Sequence, residues 1–251
     1  MARELISKNA TKSVYRDGDM AIKVFCKGFP KAEVLNEALV SARIEEIGGI
    51  NIPATLKVEV DDDGCWAIYK EFINGKTLKQ LMDENPDKLE EYMEKFVDLQ
   101  LSMHEKKAPR LTLQKDKFAR KIESMKDKLD ATVRYELLTR LDSMPNHTKL
   151  CHGDFNPSNV IVAEDGTMKI VDWSHATQGN ASGDAAITYL EFALKDEKMA
   201  DLYLKLFCRK SDTARQYVQQ WLPIVAAAQL SKENALEKDF LMRWIDVMDY
   251  Q

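Results

Sequence analysis

A histidine, an aspartate and an asparagine are closely spaced in LCHGDFNPSNVIV, residues 150–162. His152, Asp154 and Asn159 follow the pattern H-x-D-x-x-x-x-N, and the Gly, Pro and Asn residues around them favour a loop over a regular element. In phosphoryl transfer, an Asp at this position accepts the proton of an attacking hydroxyl, and the Asn that follows it binds magnesium. The segment therefore predicts a rigid loop that holds a general base and a metal ligand, with His152 packed beneath it in a structural role.

A second carboxylate follows the apolar residues of KIVDWS. Asp172 lies 18 positions after Asp154, where kinase-type phosphotransferases have another magnesium ligand. The apolar runs at residues 160–162 and 169–171 predict a two-stranded ribbon. Such a ribbon would hold the loop in place, as the positioning demands of phosphoryl transfer require.

The first part of the chain has the pattern of strands and one helix. Residues 13–16 and 20–25 are strand-like runs on either side of an Asp-Gly turn at residues 17–19, which predicts a hairpin. Apolar residues at three-to-four spacing then predict an amphipathic helix that ends at a Gly-Gly pair. Two more strands are expected on either side of the turn at residues 61–64.

Helical spacing dominates the rest of the chain. The expected helices are residues 86–106, 116–129 and 134–144, followed after the ribbon by three helices from about residue 185. We therefore predict an α+β fold of two lobes. A small antiparallel sheet lobe is expected over residues 1–74, and a larger helical lobe over residues 75–251.

Composition limits the classes of function. With 251 residues, 45% hydrophobic and 31% charged, the chain has enough apolar material for one large domain or two lobes. Its formal net charge of −5 argues against nucleic acid as the main partner, because phosphate backbones need clustered Lys and Arg. We found no apolar targeting segment and no apolar run near the ~20 residues that span a bilayer, so we expect a cytoplasmic protein without a membrane partner. The cysteines are scattered, which suggests neither disulfides nor a zinc site.

The segments LCHGDFNPSNVIV, KIVDWS and GDAAITYL together resemble the aminoglycoside phosphotransferase and choline kinase group of the protein-kinase-like fold. The resemblance covers nearly the whole chain and is greatest for small bacterial members of unassigned substrate. It implies a small-molecule kinase that transfers the γ-phosphoryl group of MgATP to a substrate hydroxyl, with GTP as the alternative nucleotide. Asp154 would be the base, and Asn159 and Asp172 the magnesium ligands.

The resemblance also assigns residues to nucleotide binding. Lys23 in the strand MAIKVF would contact the α and β phosphates and pair with Glu37 on the following helix. The backbone of Glu71, Phe72 and Ile73 matches the hinge that holds adenine.

Two further segments match less directly. Gly183-Asp184 resembles the structural Asp that holds the catalytic loop through backbone contacts. The stretch that matches the phosphate-covering loop, ISKNATKSVY, has Ser7 and Asn9 where glycines are expected. This stretch therefore departs from the glycine-rich pattern of the family.

Two alternatives remain open at this stage. The glycine-poor loop is compatible with a pseudokinase or nucleotide-binding regulator. An atypical protein kinase is disfavoured because residues 173–183 are too short for a peptide-docking activation segment.

For the acceptor, acidic residues after Asp172 favour a cationic hydroxyl compound over a neutral sugar. These residues are Glu191, Asp196, Glu197, Asp201, Asp246 and Asp249.

Overall fold

The computed structural model describes residues 3–231 and 236–245, so Asp246 and Asp249 lie outside the described residues. The chain divides into two compact units. The first runs to Glu84 and takes in Pro157–His175, and the second comprises Asn85–Asn156 and continues from Ala176. Mixed helix and antiparallel sheet confirm the predicted α+β class.

A five-stranded antiparallel sheet and one helix form most of the first unit. Its strands follow the order β1-β2-β3-β5-β4. Their bounds are β1 (Glu4–Lys8), β2 (Lys12–Asp17), β3 (Met20–Phe25), β4 (Thr55–Val60) and β5 (Trp66–Glu71), with α1 (Lys31–Ile47) between β3 and β4. The Asp-Gly turn joins β2 to β3, and Gly48 at φ 71° ends α1, both as predicted.

The two faces of this sheet bury different clusters. Ile22 and Tyr69 are opposite each other on one face and pack with Ala67. Phe25 and Ile68 lie on the other face and pack against Val34 of α1. Because side chains alternate along a strand, Lys23 shares the α1-facing side of the sheet with Phe25.

A second sheet of the first unit contains the predicted ribbon. Its strands are β6 (Gly75–Thr77), β8 (Val160–Ala163) and β9 (Met168–Ile170) in the order β6-β8-β9, and α2 (Leu78–Glu84) follows β6. At Gly75 an added Cβ would lie 2.2 Å from the Val162 carbonyl oxygen, so only glycine permits this close approach. This pairing keeps the chain in the first unit beyond residue 74, which differs from the boundary expected from sequence.

The second unit is mainly helical. Its elements are α3 (Leu89–His104), α4 (Gln114–Glu123), α5 (Ala131–Ser143), β7 (Lys149–Cys151), β10 (Thr177–Gly179), α6 (Ala181–Ala193), α7 (Glu197–Ser211), α8 (Arg215–Gln219), α9 (Leu222–Leu230) and α10 (Lys238–Ile245). Phe96, Phe155, Tyr203, Phe207 and Trp221 are fully buried in its core. Among the described residues, no helix is both long and apolar enough to cross a bilayer.

The prediction of three helices after the ribbon was wrong. Five helices, α6 to α10, occupy the described part of that region. Asp196 interrupts the apolar pattern because its side chain caps α7, accepting from the Lys198 N–H at 2.8 Å. Asp212 ends α7 in a left-handed conformation, φ 51°. The helix expected at residues 116–129 is also shorter, since the chain turns after Glu123.

Candidate active site

Asp172 has an unusual backbone conformation. Its φ is 59°, in the left-handed region that non-glycine residues seldom occupy and that Asp and Asn tolerate best. The Ser174 hydroxyl donates to its Oδ1 at 3.2 Å, and the Trp173 indole N–H donates to the Ile170 carbonyl at 3.0 Å. These bonds hold the turn after β9, and backbone strain of this kind is concentrated at functional sites.

The ribbon brings Asn159 next to this turn. Val160 pairs with Ile170 in the β8–β9 ladder, and the Val171 N–H donates to the Asn159 carbonyl at 2.9 Å. Asn159 and Asp172 are therefore joined through the backbone at one end of the ribbon.

Lys23 lies between two carboxylates. Its Nζ is 2.5 Å from Glu37 Oε1 and 3.0 Å from Asp172 Oδ1. Burial would lower the pKa of Lys23, but Asp172 and Glu37 outweigh it and the pKa is raised. Lys23 therefore stays charged at neutral pH, and the predicted ion pair with Glu37 is present.

Lys12 joins this cluster, and the sequence analysis missed it. Its Nζ is 3.5 Å from Asp172 Oδ2. The pKa of Lys12 is lowered, mainly because the residue is buried. Asp172 opposes this shift, and the charge of Lys23 adds to it. The signal that would have found it is the strand register, because Lys12 is opposite Phe25 and therefore on the same face as Lys23.

The predicted hinge residues differ in their backbone hydrogen bonds. The Glu71 N–H donates to the Ala54 carbonyl and the Phe72 N–H to the Asp19 carbonyl, both at 2.9 Å. Ile73 is buried, and within the described residues its N–H has no backbone partner. Ile73 is therefore the one of the three whose N–H the sheet does not use.

The glycine-poor stretch forms the turn between β1 and β2. The Asn9 side-chain Oδ1 accepts from the Thr11 N–H at 3.0 Å and from the Lys12 N–H at 2.9 Å. The Asn9 N–H in turn donates to the Lys12 carbonyl at 2.9 Å. An asparagine thus closes, with its own side chain, a turn for which a glycine-rich sequence was expected.

The loop that contains Asp154 belongs to the second unit, where Asp184 holds it. The N–H groups of His152 and Gly153 donate to Asp184 at 3.1 and 2.7 Å. Gly153 has φ 77°, a conformation that favours glycine. The predicted structural role of Asp184 thus has the expected geometry.

Phe155 anchors the other side of Asp154. Its ring stacks on Phe96 with the centroids 4.4 Å apart, and His152 packs edge-on at 5.9 Å. The Thr188 hydroxyl donates to the Phe155 carbonyl at 2.8 Å. Because both neighbours of Asp154 are fixed, its half-buried carboxyl group is held by a rigid backbone.

Asp184 is fully buried and its charge is compensated by hydrogen bonds. Burial alone would raise its pKa, but the hydrogen bond from His104 Nε2 at 2.9 Å and the Gly153 N–H lower it. Cys151 lies within 4.8 Å of His104 and Asp184, a grouping of possible metal ligands. Burial raises the pKa of the Cys151 thiol far above its usual value, and Sγ contacts the Asn180 carbonyl at 3.6 Å. These contacts favour a structural cluster over a metal site.

The family of the chain is shown by its similarity to known proteins. A family model described as the phosphotransferase enzyme family matches residues 3–230. The chain belongs to this family. It is a small-molecule phosphotransferase acting on an alcohol group, as the sequence predicted, and a regulator without activity is not favoured.

Solved structures of known proteins share the fold of this chain. An apo thermostable mutant of aminoglycoside phosphotransferase APH(4)-Ia has a TM-score of 0.74 at 14% identity, covering 99% of this chain and 94% of that one. Choline kinase LicA from Streptococcus pneumoniae has a TM-score of 0.67 at 14% identity, covering 98% and 93%. Aminoglycoside-3'-phosphotransferase of type VIII has 0.66 at 17%, covering 92% and 93%. No curated protein matches the chain. At these identities the likeness shows the fold alone.

The acids expected near an acceptor have different surroundings. Asp196 caps α7, and Asp201 pairs with Arg215 at 2.5 Å. Glu197 is exposed in the first turn of α7, and Glu191 is half-buried on α6. Asp196 and Asp201 therefore have structural partners, which weakens the electrostatic argument for a cationic acceptor.

We expect the Asp184→Asn variant to lose stability, because the buried bonds of Asp184 depend on its charge. A buried pair that loses one partner costs about 3–5 kcal/mol at pH 7. The lowered pKa of Asp184 means that the charged form stabilises the fold above the unfolded value, about 3.9, and that this contribution is lost as pH falls below it. Urea unfolding at pH 7 and at a series of pH values below about 3.9 measures both effects, and the difference in unfolding free energy between variant and wild type should narrow only in the acid series.

The matched control for this measurement is Asp83→Asn. Asp83 is exposed and pairs with Lys79 within one helix, an interaction that contributes little to stability. Equal unfolding free energies for wild type and Asp184→Asn at pH 7 would contradict the proposed role of Asp184.

Proposed function

We propose that this phosphotransferase transfers the γ-phosphoryl group of ATP to a hydroxyl group of a small molecule. Asp154 is the general base, Lys23 binds the nucleotide phosphates, and Asn159 and Asp172 bind magnesium. The observation that carries the proposal is the contact of Lys23 with both Glu37 and Asp172, with Asp172 held at φ 59°. Strained residues of this kind are concentrated at functional sites.

Lys23 is suited to phosphate binding. Its side chain is 13% exposed, and its ammonium group pairs with Glu37 of α1. A partly buried ammonium interacts with phosphate more strongly than one in bulk water, because solvent screens it less. Glu37 acts here as a positioning residue, since it orients the Lys23 side chain.

Adenine binding is proposed for the backbone of residues 71–73. The N–H groups of Glu71 and Phe72 already donate within the sheet. Ile73 is buried, and a buried N–H needs an acceptor. We therefore assign the donor for adenine to the Ile73 N–H.

The donor set of Asn159 and Asp172 fits magnesium. Both groups offer oxygen, the ligand that Mg²⁺ prefers, and the Asp172 side chain is 31% exposed and so open to a hydrated ion. Magnesium would supply charge neutralisation at the phosphate oxygens. Neither residue is a sulfur or imidazole donor, so the set does not favour zinc.

Asp154 is assigned to the acceptor hydroxyl. Its carboxylate would take the hydroxyl proton as the oxygen attacks the γ-phosphorus and ADP leaves. Such a group must be held in place, and the neighbours of Asp154 are fixed by Asp184 and Phe96. A cytoplasmic location is part of the same proposal.

Metal binding is tested by the Asp172→Asn variant, because Asn tolerates the left-handed backbone. Calorimetric titration with ATP should show that magnesium no longer increases affinity, since the charged ligand is gone. Metal-free ATP should bind at least as well as to wild type, because Lys23 and Lys12 lose a competing carboxylate. Asp165→Asn is the control, since the exposed Asp165 makes a turn bond to Thr167 that Asn can keep. If magnesium increases ATP affinity in Asp172→Asn as much as in wild type, Asp172 is not a magnesium ligand.

The base is tested by Asp154→Asn, which keeps the shape of the side chain and removes the proton acceptor. We expect kcat to fall by roughly 10²- to 10⁴-fold, the range for general acid–base groups, while calorimetry shows unchanged MgATP affinity. Asp130→Asn is the control, because Asp130 caps α5 through the Thr132 N–H and Asn caps equally well. If Asp154→Asn and wild type have similar kcat values, Asp154 is not the general base and only helps to form the loop.

The acceptor class is tested with a pool of metabolites, read by the mass gain of one phosphate, followed by matched amino and neutral sugars. We propose a cationic acceptor, such as an amino sugar or amino alcohol, because acidic residues after Asp172, among them the exposed Glu197, would attract it. Its kcat/KM should exceed that of the neutral analogue and fall as salt rises. A preference for neutral acceptors that salt does not change would remove the electrostatic argument.

A further inference from the structure

The turn between β1 and β2 has few backbone donors to offer a phosphate. A glycine-rich loop binds phosphate through its N–H groups. Here the Thr11 and Lys12 N–H groups donate to Asn9 Oδ1 at 3.0 and 2.9 Å, and the Thr11 hydroxyl donates to the same oxygen at 3.3 Å. A nucleotide would have to break these bonds to use the backbone of this turn.

The Lys12 side chain offers a donor that the backbone does not. Lys12 is opposite Phe25, and Val14 is opposite Lys23, in the β2–β3 ladder. Lys12 and Lys23 are therefore diagonal neighbours on one face of the sheet. The Cα atoms of such neighbours are about 7–8 Å apart. Both ammonium groups converge on Asp172, one at each carboxylate oxygen.

The charges of the cluster suggest different roles for the two lysines. Lys23 has Glu37 as a close second partner at 2.5 Å. Lys12 has only the longer contact to Asp172, 3.5 Å, among the ion pairs of the described residues. A third cation on this face, Lys70, donates to the Ser41 hydroxyl at 2.7 Å and has a partner of its own. Among these cations, Lys12 is thus the one whose sole ion-pair partner in the described residues is Asp172, the proposed magnesium ligand.

We propose that Lys12 is a second phosphate-binding cation, which does with its side chain what a glycine-rich loop does with backbone N–H groups. The inference rests on the proposed function, since it needs ATP to be the nucleotide bound by Lys23 and Asp172. Lys12 contacts the phosphates of the bound nucleotide, and Asn9 keeps the turn closed so that the lysine stays at the start of β2.

The test is calorimetric titration of the Lys12→Met variant with magnesium and AMP-PNP, and separately with adenosine. Methionine keeps the length and apolar stem of the side chain and removes the charge. We expect affinity for the magnesium complex to fall about 10- to 100-fold, the equivalent of one charge-assisted hydrogen bond. Adenosine has no phosphates, so its affinity should not change. Lys12→Arg should restore binding to within a few-fold of wild type.

The matched control is Lys27→Met, at an exposed lysine just after β3, which should bind both probes as wild type does. Equal affinity of Lys12→Met and wild type for the magnesium complex would refute this inference and leave the proposed function intact. If wild type binds neither probe, the proposed function fails and the inference fails with it. An equal loss for both probes in Lys12→Met would show damage to the fold and would also overturn the phosphate role.

Discussion

The charge of Lys23, partly buried on the α1-facing side of the sheet, constrains how the elements of the first unit pack. A cation removed from water is costly unless it is paired. Glu37 and Asp172 provide that pairing at 2.5 and 3.0 Å, and each comes from a different element. The contacts therefore require α1 to pack against β3 and the end of β9 to approach the same face. A single ammonium thus links the sheet, the helix and the ribbon.

The conformation of Asp172 follows from this constraint. The chain leaves β9 and must turn at once to present a carboxylate to Lys23, and a left-handed residue achieves the turn in one step. The Ser174 hydroxyl and the Trp173 indole secure the turn. The cost of the strained residue, of order 1–3 kcal/mol, is offset by these bonds and by the ion pair. Glycine would fit this backbone more easily but could not bind a cation.

The sequence predicted best those features that depend on local spacing. The β2–β3 hairpin and the β8–β9 ribbon are set by residues a few positions apart, and the structure has both where they were predicted. Features that depend on strand register or distant packing were missed. Lys12 joins the cluster through the β2–β3 register, and His104 reaches Asp184 across 80 residues of sequence. The sequence analysis missed the breaks that divide the expected three helices into five. A capping Asp such as Asp196 cannot be told from an ordinary surface Asp by sequence alone.

Two carboxylates that look alike in sequence differ in what surrounds them. Asp184 is fully buried and accepts two backbone N–H bonds and one from His104. Both of its oxygens accept buried hydrogen bonds, so breaking them to bind a ligand would cost much of the stability that holds the loop. Asp172 is 31% exposed and contacts the ammonium groups of Lys12 and Lys23, whose long side chains can move when another cation or anion arrives. Burial and the kind of partner, more than residue type, therefore separate the carboxylate that holds the loop, Asp184, from the one that we propose binds metal, Asp172.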